Sequence, residues 1–420
     1  MTDLLWKVII GHFVAGLAFC HTLQFVGPWG SGPKENPVIL MNELHAHIEP
    51  NAADVWLAAA DKITDLSPDD LMRDVEWQEG EPLPANVIAC LDENQEAIEL
   101  ARNAASIERC WFELVPEDLG YDIGFLRELS EVKDALEWNA KRAIEARDWQ
   151  TLGEMARVLS ALGTDTATVP GLLTRLRGCS VHYEAQVHLL SPFTWDLPPK
   201  EEATYTAMVK PLLEEPLPPL VDAIREDKWF GKSLCAVAAW KDPRMYLALP
   251  PGRVYGEIDK RYAPVVAWAA APIHVRANQD NPLATKAKTL RKQQAALLNI
   301  SGIVADMFAI WPDSAIATDV ASETLRRGMR TALELFTIRD RAGEFPESLD
   351  GIDAEYKIDP YSGKPFAYER KGDDFILYSL GVDREDDGGR HDGRFGRSRD
   401  RKPPDGDYVF WPIGGNTDDR

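Results

Sequence analysis

Oxygen-bearing side chains crowd one stretch near the end of this chain: Asp383, Glu385, Asp386 and Asp387, then Gly388-Gly389, with Asp407 closing the stretch. Carboxylates on a flexible, glycine-rich loop suit a hard cation such as Ca²⁺, whose shell is built from oxygen. Brought together, such carboxylates disfavour one another unless a cation or a proton intervenes. Asp383, Asp386, Asp387 and Asp407 are therefore candidate Ca²⁺ ligands. The stretch opens like an EF-hand loop, with acids at its first, third and fifth positions and Gly388 at the sixth. Its twelfth position is Arg394, where a bidentate Glu is needed, so an EF-hand is rejected.

A second candidate is Glu43-Leu44-His45-Ala46-His47-Ile48-Glu49. A His-x-His at a strand end can hold a metal in a barrel enzyme, which makes a metal-dependent hydrolase using His45 and His47 the alternative function. The chain lacks the alternation of strands and helices that such a barrel requires. His182 and His188 stand six apart on a predicted helix and do not share a face. The sequence holds no Gly-x-Ser-x-Gly elbow, P-loop, Gly-x-Gly-x-x-Gly or His-Glu-x-x-His. No catalytic residue, organic cofactor or small-molecule substrate is therefore identified, and a non-catalytic role is expected.

The elements that must position these residues are mostly helices. Asn51 is a good N-cap for a helix reaching Ile63. Val87, Ile88, Leu91, Ile98, Ala101 and Ala105 have helical spacing and predict one long helix from Asn86 to Trp111. Phe125, Leu126, Leu129, Val132, Leu136, Ala140 and Ala143 line the next helix, and Leu152, Met155, Ala156, Leu159 and Leu162 the one after. Only Arg147-Asp148-Trp149 separates them, so they must pack antiparallel. Pro170 introduces another helix, and prolines break the pattern over 191–220. Helical runs resume at Leu220–Trp229, Val254–Ala271 and Ala284–Trp311, and a last helix covers about 315–341. The region 86–190 is expected to be free of strands.

The tail reads differently. Phe366-Ala367-Tyr368 and Phe375-Ile376-Leu377-Tyr378 flank the charged turn Lys371-Gly372-Asp373-Asp374, which is a hairpin signal. Tyr408-Val409-Phe410 is a third strand-like run. This tail resembles the C-terminal globular region of the major pseudopilin of type II secretion. The matching positions are Asp359, Pro360, Gly363 and Pro365, then Leu380, Gly381 and Asp383, and finally Asp407; the resemblance spans roughly 318–413. It implies a small α+β domain entered by a helix, and a calcium loop whose shell includes backbone carbonyls near Leu380. The whole chain resembles bacterial membrane-anchored proteins in which a helical ectodomain precedes such a tail. It departs from true pseudopilins in lacking their processing motif, and about three hundred residues separate its hydrophobic start from the globular region.

Composition narrows the partners. A net charge of −22 lacks the basic footprint that nucleic acids or anionic lipids require. The stretch 4–26 is apolar but interrupted by His12, His21 and Gln24, and no cleavage site follows it. It is expected to be an uncleaved membrane anchor, with a signal peptide, which its short strictly apolar core also suits, as the alternative. Of the five cysteines none forms a CxxC pair, so a zinc ribbon or thioredoxin motif is excluded. Cys90 and Cys110, on the expected long helix, would lie about 30 Å apart and could not bridge.

The resulting expectation is a mainly α chain with five parts: an anchor over 1–26, a linker over 27–50, a helical-repeat or bundle ectodomain over 51–315, a pseudopilin-like α+β domain over 316–413 and a disordered end over 414–420. Its expected role is that of a structural or interaction protein of the bacterial envelope, exported apart from its anchor. Its expected partners are other envelope proteins, with the membrane reached through the N-terminal helix.

Overall fold

The computed structural model of the chain describes residues 37–64, 82–117, 120–194, 197–214, 216, 218–241, 251–277, 313–390 and 406–412. Over these the protein is mainly helical, with a small three-stranded antiparallel sheet near the C-terminus. Helix α1 (Pro37–His45) falls inside the expected linker. Helix α2 (Ala52–Lys62) begins as its cap requires: Asn51 Oδ1 accepts from Ala53 N. The same amide also holds the Trp111 backbone from both sides, at 2.9 Å each, which ties a distant loop to this helix start.

The single long helix expected over 86–111 is two helices, α3 (Ala85–Glu93) and α4 (Gln95–Ala104). The break falls at Asn94, which is fully buried. Its side-chain oxygen accepts from Thr64 N at 2.8 Å, and its amide donates to Cys90 O at 2.8 Å and to Thr64 O at 3.2 Å. A short amide side chain that competes for backbone groups interrupts a helix in this way. Cys110 lies beyond α4, outside any helix. A short antiparallel hairpin then follows, β1 (Val115–Glu117) against β2 (Gly120–Asp122), with Val115 opposite Asp122. The expectation of no strand between 86 and 190 is thus corrected. The hairpin fills the gap between two strongly periodic helices, where the 3.6-residue pattern lapses.

Helices α5 (Phe125–Ala146) and α6 (Trp149–Thr168) form the expected pair. Arg147 closes α5 in a left-handed conformation, φ 53°, and Asp148 caps α6 by accepting from Thr151 N at 3.0 Å. Leu129, Val132, Leu136, Leu152, Leu159 and Leu162 are all buried, as their spacing predicts. Helix α7 (Leu172–Val187) crosses α6 at two glycines. A Cβ on Gly178 would sit 2.5 Å from Gly163 O, and one on Gly163 would sit 2.7 Å from the His182 ring. Only glycine permits this approach, and it presses His182 into the α6–α7 interface.

Helices α8 (Pro199–Val209), α9 (Leu220–Lys241), α10 (Pro251–Ala269) and the short α11 (Ile273–Ala277) complete the body. Helix α12 (Asp313–Ala342) then runs along α7 and carries the tail. A one-turn helix, α13 (Ala354–Lys357), leads to strands β3 (Ala367–Lys371), β4 (Asp374–Ser379) and β5 (Tyr408–Trp411), in the order β3-β4-β5. Lys371 pairs with Asp374 across the predicted turn, and Ser379 pairs with Tyr408. The sheet lies on α12 so closely that a Cβ on Gly328 would meet the Phe410 ring at 2.4 Å.

One apolar core runs from α2 through α5, α6 and α7 into α12 and the sheet. Phe336 on α12 is its junction, stacked on Phe193 of the body at 4.3 Å and set edge-on to Phe345, Phe375 and Trp411 of the tail. Polar contacts reinforce this seam: Lys210 with Glu334 at 3.1 Å, Arg330 with Glu214 at 3.1 Å, and Arg339 with Glu202.

Among the described residues no helix is long and apolar enough to cross a membrane. Helix α12, for example, carries Asp319, Glu323, Arg326, Arg327 and Arg330 along its middle, which hydrocarbon would not tolerate. The expected single-pass envelope protein is corrected by this finding. The stretch 4–26 itself lies outside the described residues, as do 284–311 and the basic insertion after Arg390.

Candidate functional site

Asp359 begins the tail's tight entry turn and shows why the Asp-Pro-x-x-Gly order folds locally. Its buried carboxylate accepts from Tyr361 N at 2.9 Å, from Ser362 N at 3.3 Å and from Ser379 Oγ at 2.8 Å. Its backbone brackets the turn through Gly363 N and Lys364 O. Ser379 ends β4, so this one carboxylate fixes the strand exit from which the acidic loop departs. Leu380 is half-buried at that exit.

The loop's carboxylates first organise its own backbone. Asp383 accepts from Glu385 N at 3.1 Å with one oxygen and from Gly406 N at 3.1 Å with the other. Asp386 accepts from Gly388 N at 3.0 Å and from the Tyr378 hydroxyl at 2.8 Å. The Asp387 carbonyl accepts from Arg390 Nε at 3.0 Å, and its carboxylate stands 3.7 Å from the same guanidinium. Asp407 differs from these. It is fully buried; its Oδ2 accepts from Gly389 N at 2.7 Å, while its Oδ1 is buried without a hydrogen-bond partner among the described residues. Burial, and then the charges of Asp386 and Asp387, push Asp407 up to about 6. The fold therefore brings Asp386 and Asp387 near enough to act on Asp407, whereas Asp383 is engaged on Glu385 and Gly406. Among the described residues no group of three or more His, Cys, Asp and Glu side chains is gathered to hold a metal ion. A cation here would rest on Asp407, at most one further carboxylate, and backbone carbonyls.

His45 and His47 do not converge. His45 ends α1, donates from Nδ1 to Met41 O at 2.8 Å and stacks on Trp111 with 3.8 Å between ring centroids. His47 is exposed in the following turn. The hydrolase alternative loses its only specific support.

Sequence reasoning missed a third place. A cavity of about 340 Å³ opens where α7 meets α12, walled by Pro216 and Pro219 before α9, by Leu220 at its start, and by the link between α10 and α11. Four arginines line it against two carboxylates. Asp319 holds Arg175 at 2.8 Å and Arg276 at 3.0 Å, one on each oxygen. Glu323 holds Arg326 at 2.7 Å and Arg327 at 2.7 Å. His182 lines the same cavity, with Nε2 3.0 Å from Thr164 Oγ1. Burial, then the Arg175 and Arg326 guanidiniums, push His182 down to about 4. Burial raises the neighbouring Cys179 thiol to about 12, which leaves it unreactive. In the sequence these residues read only as ordinary charged helix positions. Arg175 and Asp319 are 144 residues apart, and no local spacing joins them.

The His182 environment predicts a pH dependence. Unfolded, the imidazole takes its proton near its ordinary 6.5; folded, only near 4. Below 6.5 the unfolded chain binds the extra proton, so stability is lost as pH falls through this window and the loss levels off below 4. The gap corresponds to about 3 kcal/mol. Urea unfolding of the wild type and of His182→Gln, between about pH 7 and pH 4, should show the wild type losing that much more. A stability difference that does not change with pH would rule this out.

Neither a protein-family model, nor a curated protein, nor a solved structure matches this chain.

Proposed function

We propose that this protein is a non-catalytic structural and interaction module. Its body is a bundle of antiparallel helix pairs, and its pseudopilin-like tail carries an acidic loop that takes Ca²⁺ and engages protein partners. The observation that carries this reading is Asp407. A fully buried carboxylate with one oxygen unpartnered, facing the charges of Asp386 and Asp387, is costly unless a cation or a proton compensates it. Backbone carbonyls near Leu380 would complete an oxygen shell of the kind Ca²⁺ accepts. The seam through Phe336 supports the structural role, because it makes the tail continuous with the body and lets an ordered loop act on the whole molecule.

Thermal unfolding of the full chain tests this. Millimolar Ca²⁺ should raise the melting temperature relative to chelator, by roughly 3–5 °C at a hundredfold excess over Kd. Asp407→Asn should remove that difference. An unchanged melting temperature, or a rise that survives in Asp407→Asn, would leave the loop a hydrogen-bonded turn and nothing more.

A further inference from the structure

The α7–α12 cavity carries an imbalance that an ordinary ion-pair network does not. Its lining places four guanidiniums against two carboxylates; Glu355, just outside the lining, stands 3.9 Å from Arg326, which leaves an excess of one positive charge among the described residues, in a chain whose net charge is −22. Burial keeps His182 neutral, so it adds no charge and cancels none. Three guanidinium donors at this place, Arg175 Nε, Arg175 Nη1 and Arg276 Nε, are buried without hydrogen-bond partners among the described residues. Arg175 is only 3% exposed. Buried donors left unmade cost free energy, and so does a buried charge lacking its counterpart. The remaining positive charge and the three unmade donors ask for an acceptor-rich anionic group. The arginine fork suits phosphate, which it can grip through paired N–H donors.

The rest of the cavity is of another character. Pro216, Pro219, Leu220 and Ile273 form an apolar wall, and a volume of about 340 Å³ is far more than a bare phosphate fills. It falls within the range of small-molecule sites, which pair an apolar lining with a few placed polar groups. The buried Gln186 Oε1, also without a partner among the described residues, can accept a hydrogen bond from a ligand hydroxyl. We infer that this cavity binds a small phosphate monoester, with its dianionic head on Arg175 and Arg276 and its organic body against the proline and isoleucine wall. Because the walls come from α7, α12 and the link between α10 and α11, such a ligand clamps the body onto the helix that carries the tail.

The test uses the full chain with phenyl phosphate, inorganic phosphate, benzoate and phenol, read by calorimetric titration and thermal unfolding. Phenyl phosphate should bind and raise the melting temperature by roughly 3–5 °C at a hundredfold excess over Kd. Inorganic phosphate should bind more weakly, benzoate more weakly than phenyl phosphate, and phenol not at all. Arg276→Gln leaves Asp319 paired with Arg175, and it should weaken phenyl phosphate roughly tenfold or more. Ala271→Trp puts an indole into the cavity from its lining, keeps every arginine and should abolish binding. No binding of any probe would mean that water alone fills the cavity, overturning the proposal. Phenol binding as well as the ester would mark a merely apolar pocket. Benzoate or inorganic phosphate matching the ester would refute the dianionic head or the organic body respectively. Affinity unchanged in both variants would place the anion elsewhere on the surface.

Discussion

Phe336→Ala is expected to destabilise the full chain by about 3–5 kcal/mol. The ring is 2% exposed and touches both halves of the core. It stacks on Phe193 at 4.3 Å and meets Trp411 at 5.1 Å, Phe375 at 5.4 Å and Phe345 at 5.8 Å. The cost has two parts: the lost transfer of the ring, and the cavity left between groups that are themselves too tightly held to close it. Each offset or edge-on pair adds roughly 0.5–1.5 kcal/mol beyond area burial. The Arg339 guanidinium, 5.1 Å from the same ring, would lose its aromatic face as well. Denaturant unfolding followed by tryptophan fluorescence would measure the loss. Because the ring joins body and tail, the variant should also separate the unfolding of the sheet from that of the helices. A loss below about 1 kcal/mol, with one unchanged transition, would show that the seam is held elsewhere.

Asp319→Ala should be comparably severe, at about 3–5 kcal/mol, for an electrostatic reason. Among the described residues Asp319 alone neutralises Arg175 on one oxygen and Arg276 on the other, with Arg175 and Asp319 side chains 4% and 9% exposed. Removing the carboxylate strands two guanidiniums in a site that already has an excess of positive charge. The effect belongs to the uncompensated charge rather than to the worth of the pair. The double replacement Arg175→Met with Asp319→Leu, which removes both partners of the more buried pair, should therefore be less destabilised than Asp319→Ala alone. Equal losses in the single and double variants would indicate a packing role for these positions.

Much of the fold was legible because it is local. Asn51 and Asp148 cap helices through groups two or three residues away, and the periodicity of 125–168 needs only neighbouring turns to express itself. The three tail strands and their Lys371–Asp374 turn were equally plain, since an aromatic, β-branched run either alternates or does not. The acidic loop was visible as composition.

What the sequence could not supply was whatever depends on residues far apart along it. The helix breaks at Asn94 because Thr64, thirty residues earlier, offers its backbone to that side chain. The carboxylates of the loop are told apart only by burial. Asp383 and Asp386 spend their oxygens on backbone amides and the Tyr378 hydroxyl, while Asp407 is fully buried with one oxygen unpartnered among the described residues, although all are identical as letters. The arginine cavity exists because Gly163 and Gly178 let α6 and α7 close up, setting α7 against α12 so that Arg175 meets Asp319. Short-range backbone preferences are written residue by residue, but burial and the balance of charge in a cavity arise from the meeting of distant segments, and only the tertiary structure decides them.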